Sequence, residues 1–220
     1  MNLEKYQQYS RIARGLEKAD LVLKDARIVN VFTEEIIRGD IAIQDGIIAG
    51  IGSFHGKEER DLAGRYVCPG FIDSHLHLES TLVTPAELVT AASRHGTTTF
   101  IVDPHESANV SGLAGIDYIL DQTEDVKANV YVMMPSCVPA TSIDDNGCTL
   151  TAEDMVPYLH NSRILGLGEV MDSISVVQGE KSMHDKLELF EGRIRDGHAP
   201  FLEEGDLQAY AMAGIATDHE

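Results

Sequence analysis

The sequence has no tryptophan and only three cysteines in 220 residues, Cys68, Cys137 and Cys148. They form no CxxC pair and no disulfide framework. That argues against a disulfide-stapled secreted scaffold and fits a reducing, cytoplasmic compartment. Long hydrophobic runs are also missing. No stretch approaches the ~18 apolar residues that mark a membrane-spanning helix, and the N-terminal segment lacks the apolar core of a secretory signal. Basic residues are scarce: 17 Lys and Arg stand against 36 Asp and Glu, a formal charge of −19. Such a surface repels polyanions and argues against nucleic acid or an anionic membrane as partner. There is no Gly-rich phosphate loop, nucleophile elbow or Ser-His-Asp order. The Gly166-Leu167-Gly168-Glu169 run matches neither the dinucleotide nor the P-loop pattern.

What is present is enough apolar sequence, 43% of residues, to bury a core. Tyr9, Ile12, Ala13 and Leu16 recur at helical spacing, which predicts a helix within residues 1–19. Residues 20–67 read as all-β, with short alternating strands and a hairpin turn at Gln44-Asp45-Gly46. At Pro69 the pattern changes, and strand-like and helical runs alternate as they do in βα units with a parallel sheet. The strands are 71–73, 97–103, 129–135, 163–169, 194–196 and 214–219. Helices are predicted from a capping box at Thr84-Pro85-Ala86-Glu87, around 115–122, from Thr151 to His160, over 185–193 and over 206–214. Six such strands are fewer than the eight of a closed (β/α) barrel, which typically needs ~250 residues. The expectation is therefore an α/β chain: part of a TIM-like barrel over 68–220, truncated after its sixth strand.

Five of the nine histidines, His75, His77, His105, His198 and His219, fall where a predicted strand stops, and Glu169 ends another. In a parallel barrel the C-terminal strand ends converge on one mouth, where imidazoles and a carboxylate make a metal site. His75 and His77 are two residues apart on extended chain, so both rings can face one cation. Alone, the pair reads equally as surface or capping histidines. Asp73 is then a carboxylate orienting a ligand, or a turn former. Glu169 follows two glycines and can bridge two cations, or it can simply precede the next helix. His198 and His219, taken singly, are ordinary hydrogen-bonded histidines; taken together they reach the same cavity. Asp103-Pro104-His105-Glu106 can hold an ion, touch substrate or form a rigid turn. Ser136 ends the third strand, where its hydroxyl can line a substrate pocket. His55, His95, His160 and His184 receive no role.

The segments PGFIDSHLHLES, TTTFIVDPHE, MMPSCVPAT, LGLGEVM, DGHAP and TDHE resemble, in order, motifs of the amidohydrolase superfamily and, within it, of the adenine deaminase family. The resemblance covers roughly Ala19 to Glu220. It implies a β-sandwich subdomain, built partly from 20–67, beside a metal-dependent barrel. It also implies two divalent ions, manganese or iron and sometimes zinc. His75 and His77 would bind one; His198 and His219 would bind the other; Glu169 would bridge them. The implied reaction is hydrolysis of adenine, a free purine base, to hypoxanthine and ammonia by a metal-activated hydroxide. The main acid/base aspartate of that superfamily stands on an eighth strand and is expected beyond the chain end. Glu106 and Glu220 are candidates for proton handling, His105 and Ser136 for substrate contact, Asp73 and Asp103 for ligand orientation. A homo-oligomer is compatible with this reading.

Two other readings stay open. One is a binuclear amidohydrolase that opens a cyclic amide, although those relatives usually place lysine where Glu169 stands. The other is a non-catalytic metal-binding fragment.

Overall fold

The computed structural model describes every residue except Ser142 and Glu220. The chain divides into two compact units, Met1–Pro69 and Gly70–Glu220.

In the first unit, helix α1 (Leu3–Ala13) starts at Asn2, whose side chain accepts from the Lys5 amide at 2.9 Å. Its buried Ile12 packs with Ala19, Val22, Ala42 and Phe54. Five strands follow: β1 (Ala19–Asn30), β2 (Glu35–Gln44), β3 (Ile47–Gly52), β4 (Gly56–Asp61) and β5 (Tyr66–Val67). They form one mixed sheet of order β3-β2-β1-β4, with β5 also on β1. β1 runs antiparallel to β2 and parallel to β4 and β5. Asp45 and Gly46 join β2 to β3 with φ of 51° and 75°, the pair of positive values that a two-residue hairpin demands. No second sandwich layer occurs in this unit among the described residues.

The second unit begins with β6 (Phe71–Leu76), a 3-10 turn (Glu79–Thr81), α2 (Pro85–Ser93), β7 (Thr97–Val102), α3 (His105–Ser111), α4 (Leu113–Gln122) and β8 (Asn129–Pro135). It continues with α5 (Ala152–Met155), a 3-10 segment (Val156–His160), β9 (Ile164–Val170), α6 (Ser173–Gln178), α7 (Lys181–Leu189), β10 (Ile194–Gly197), α8 (Glu204–Met212) and β11 (Thr217–Asp218). The six strands are all parallel and lie in chain order, a curled half-barrel. Val102, Val130, Val132, Ile164 and Leu167 pack with Ile116, Ile119, Met155 and Leu187 from the helices. Each such side chain contributes about 1.5–3 kcal/mol on leaving water. Among the described residues no helix is long and apolar enough to cross a membrane.

Two local expectations need correction. Thr84 does precede α2 with Pro85 at its first turn, but its side chain makes no capping hydrogen bond, so no capping box forms there. The box at Thr151 does form, with Asp154 Oδ2 accepting from the Thr151 amide at 2.8 Å. The helix it opens is short, however. It tightens to 3-10 at Val156-Pro157, because proline has no amide hydrogen to continue the α ladder.

Candidate metal centre

The centre is organised around Glu169, near the C-terminal end of β9 and only 4% exposed. Its backbone leaves the strand: φ is +24°, a value side-chain-bearing residues rarely adopt. The pairing with β10 records the same break. Leu167 opposes Arg195 and Val170 opposes Gly197, so β9 carries one more residue than β10 between these pairs. Such a bulge re-aims a side chain. Gly168 makes room beside it, since a Cβ there would lie 2.0 Å from Asp103 Oδ2 and 2.7 Å from Met133 Cβ.

All five histidines expected at strand ends surround this carboxylate. Glu169 Oε1 lies 3.0 Å from His75 Nε2, 3.4 Å from His77 Nε2, 3.0 Å from His219 Nε2 and 3.8 Å from His198 Nδ1. Oε2 lies 2.9 Å from His105 Nδ1. The rings meet one another as well. His75 Nε2 is 3.0 Å from His77 Nε2, and His198 Nδ1 is 3.3 Å from His219 Nε2. His75 stacks on His219 with ring centroids 3.8 Å apart.

The far side of three of these rings also meets a neighbour. His77 Nδ1 faces the Asp103 carbonyl at 2.8 Å. A carbonyl only accepts, so Nδ1 carries a hydrogen and Nε2 is the nitrogen turned to Glu169, a donor to the carboxylate when the ring is charged and a free lone pair for a cation when it is neutral. Asp196 Oδ2 lies 3.6 Å from both His75 Nδ1 and His219 Nδ1, while Thr217 Oγ1 donates to Asp196 Oδ1 at 2.6 Å. The Tyr210 hydroxyl accepts from the His198 amide at 3.2 Å and donates to the Val170 carbonyl at 2.5 Å.

Electrostatics follow from this crowding. Burial alone would raise Glu169; His105 and His77 overcome it and hold the carboxyl well below its ordinary range. Hydrogen bonding to Glu169, against the cost of burial, pushes His77 up to about 9. Burial opposes the charge on His105, yet Asp103 and Glu169 push it up to about 10. Burial raises the Asp103 carboxyl, and His105 opposes that rise.

The donor set fits divalent cations. His75, His77 and Glu169 form one group of ligand atoms within 4.8 Å of one another; Glu169, His198 and His219 form a second. The shared carboxylate has two oxygens with which to bridge. Asp196 also groups with His75 and His219, but through their Nδ1 atoms, the usual post of a carboxylate that orients metal-binding imidazoles. Both carboxylate oxygens of Asp103 are buried without a close hydrogen bond, His105 Nδ1 lying 3.5 Å from Oδ1 as an ion-pair partner. Imidazole and carboxylate together suit zinc, iron or manganese.

The remaining expected residues divide. Asp73 lies on β6, and its carboxylate makes no hydrogen bond or ion pair among the described residues. The Asp103 carbonyl, rather than Asp73, fixes His77. Glu106 accepts from the Ser80 hydroxyl at 2.5 Å and, with Glu79 and Tyr118, lines a separate open cavity of about 490 Å³. Ser136 is buried, with its hydroxyl 2.9 Å from the Glu169 carbonyl. Glu220 lies outside the described residues. Sequence reasoning missed Asp196, although its place two residues before His198 on an extended strand was the available signal. It also missed Tyr210, which reads as an ordinary apolar residue of a helix.

Residues 66–220 match the amidohydrolase family. Over all 220 residues the chain is 58% identical to an adenine deaminase of Desulfitobacterium hafniense, covering 39% of that protein. It is 50% identical to an adenine deaminase of Clostridium acetobutylicum over 94% of this chain and 37% of that one. The chain thus spans well under half the length of these relatives. Among solved structures, N-acyl-D-glutamate deacylase from Bordetella bronchiseptica, complexed with zinc and a phosphonate inhibitor, superposes with a TM-score of 0.59 at 17% identity, covering 91% of this chain and 51% of that one. The 5-methylcytosine deaminase of Klebsiella pneumoniae, liganded with 5-fluorocytosine, gives 0.52 at 16% identity over 87% and 55%. Both likenesses concern the fold.

Proposed function

Because the chain belongs to the amidohydrolase family, we propose that it is the metal-binding N-terminal portion of an adenine deaminase, which hydrolyses adenine to hypoxanthine and ammonia. The observation that carries the reading is the convergence of five imidazoles from four strand ends on one bridging carboxylate. Similarity to adenine deaminases over 100% and 94% of the chain supports adenine as the substrate.

In this reading His75 and His77 would hold one divalent ion, His198 and His219 would hold a second, and Glu169 would be shared between them. Manganese or iron is the preferred pair, with zinc compatible. Bound ions at this mouth supply the positive charge that lets water lose a proton near neutral pH. The chain's own part is to hold geometry and protons. The Asp103 carbonyl fixes which nitrogen of His77 would face an ion, and the Asp196 carboxylate, 3.6 Å from Nδ1 of His75 and of His219, favours the same orientation there. His105, whose Nδ1 lies 2.9 Å from Glu169 Oε2, is the side chain proposed to contact the purine. Glu106, and Glu220 beyond the described residues, are the carboxylates proposed for proton transfer. The partner is a small purine base, in the cytoplasm.

The test measures metal content by plasma mass spectrometry in the wild-type chain and in the double variant His75→Ala, His77→Ala, with ammonia release from adenine followed in manganese. Two metals per chain, falling to about one in the variant, are expected. Equal metal content in both proteins refutes the assignment. Ring opening of a cyclic amide without ammonia release from adenine would reassign the substrate.

A further inference from the structure

Lys186, on α7, is 7% exposed, and burial lowers its pKa. Among the described residues no carboxylate lies within ion-pair distance of it. Its Nζ donates to the Ser136 carbonyl at 2.6 Å. Burying an ammonium is costly unless a specific contact compensates, so the place where this one is spent carries information.

Ser136 is itself 1% exposed and grips two successive carbonyls of β9. Its amide donates to Gly168 at 3.3 Å, and its hydroxyl donates to Glu169 at 2.9 Å. In a regular strand successive carbonyls point to opposite edges. One neighbour can reach both only because Glu169, at φ +24°, has turned its carbonyl back towards β8. The Met171 amide donates to the same carbonyl at 2.7 Å. A strained backbone persists only where its surroundings over-determine it, and here the hydroxyl of Ser136 and the amide of Met171 do so.

We propose that Lys186 and Ser136 are positioning residues for the metal centre. Lys186 anchors Ser136, and Ser136 locks Glu169 in the left-handed conformation that delivers its carboxylate to the imidazoles. This rests on the metal-binding reading above. It also gives Ser136 a task distinct from substrate contact. The bland alternative is that both residues merely fasten α7 and the loop after β8, contributing to stability and nothing else.

The full 220-residue chain, stripped with chelator, is titrated with zinc against a chromophoric competitor, and its thermal transition is recorded without metal. Removing a group that orients a metal ligand typically weakens affinity about 10- to 100-fold. Ser136→Ala, the loss of a single oxygen, is expected to fall in that range, and Lys186→Met to weaken binding in the same direction. Ser136→Thr, which keeps the hydroxyl, is expected to restore near wild-type affinity. Should Lys186→Met fail to fold, Ser136→Ala and Ser136→Thr decide alone. Wild-type zinc affinity in Ser136→Ala, whatever its thermal transition, overturns the proposal. A wild-type chain that takes up no zinc overturns the metal reading and this proposal with it, an outcome distinct from the first.

Discussion

Raising the pH of the chelator-stripped protein should destabilise it, and steeply. His77 and His105 are pushed up to about 9 and about 10 by the carboxylates they face, whereas an unfolded histidine titrates near ~6.5. Below that value both states hold the protons, and the contribution of these pairs is fully present. Between it and about 9 the folded chain keeps protons that the unfolded chain has released. Stability then falls as pH rises. Near pH 8 about two protons separate the states, so the slope is about −2.5 kcal/mol per pH unit. Glu169 is held low and ionised in both states over this range, so it adds no slope. Its own contribution is lost at the other end, as pH falls below its ordinary range. Urea unfolding followed by circular dichroism at pH 7.5 and 8.5 reads the slope directly. Glu169→Gln removes the shared carboxylate and should flatten the profile. Wild-type stability that is level or rising across this interval would refute the account of how the imidazoles and Glu169 interact.

Two further outcomes are expected. Zinc added near pH 7.5 in weak buffer should release protons, because His77 binds a cation only as the neutral ring; a titration with no measurable acidification would contradict its placement. Gly168→Ala should cost about 1–3 kcal/mol of stability, as overpacking does, since the new Cβ would meet Asp103 Oδ2 and Met133; an unchanged thermal transition would mean that Asp103 does not sit against this strand.

Much of this arrangement was legible in the chain because it rests on periodicity. Alternation between strand-like and helical runs after Pro69 predicts a parallel sheet, and the parallel sheet alone brings remote strand ends together. The features that escaped are those with weak periodic signal. Helix α3, over HESANVS, buries only Ala108 and has only Ala108 and Val110 as apolar residues, too few to show a helical repeat. Helix α6 is a six-residue segment capped by Asp172, too short for a helical repeat to declare itself. The capping box at Thr84 fails despite the right letters, whereas the one at Thr151 closes; side-chain geometry, not spacing, separates them. The left-handed turn at Glu169 has no signature at all, because glutamate is not a residue that usually adopts it.

His75 and His219 stand at opposite ends of the open sheet, on the first strand and just past the last, and yet their rings stack. In the proposed site one cation would tie the first strand to Glu169 and the other would tie Glu169 to the last, so the two together would staple a chain segment of well over a hundred residues. Closing so long a loop restricts the unfolded ensemble more than closing a short one. Metal loading should accordingly be felt as a gain in the cohesion of the whole half-barrel, from its first strand to its last, and not only at the mouth where the ion sits.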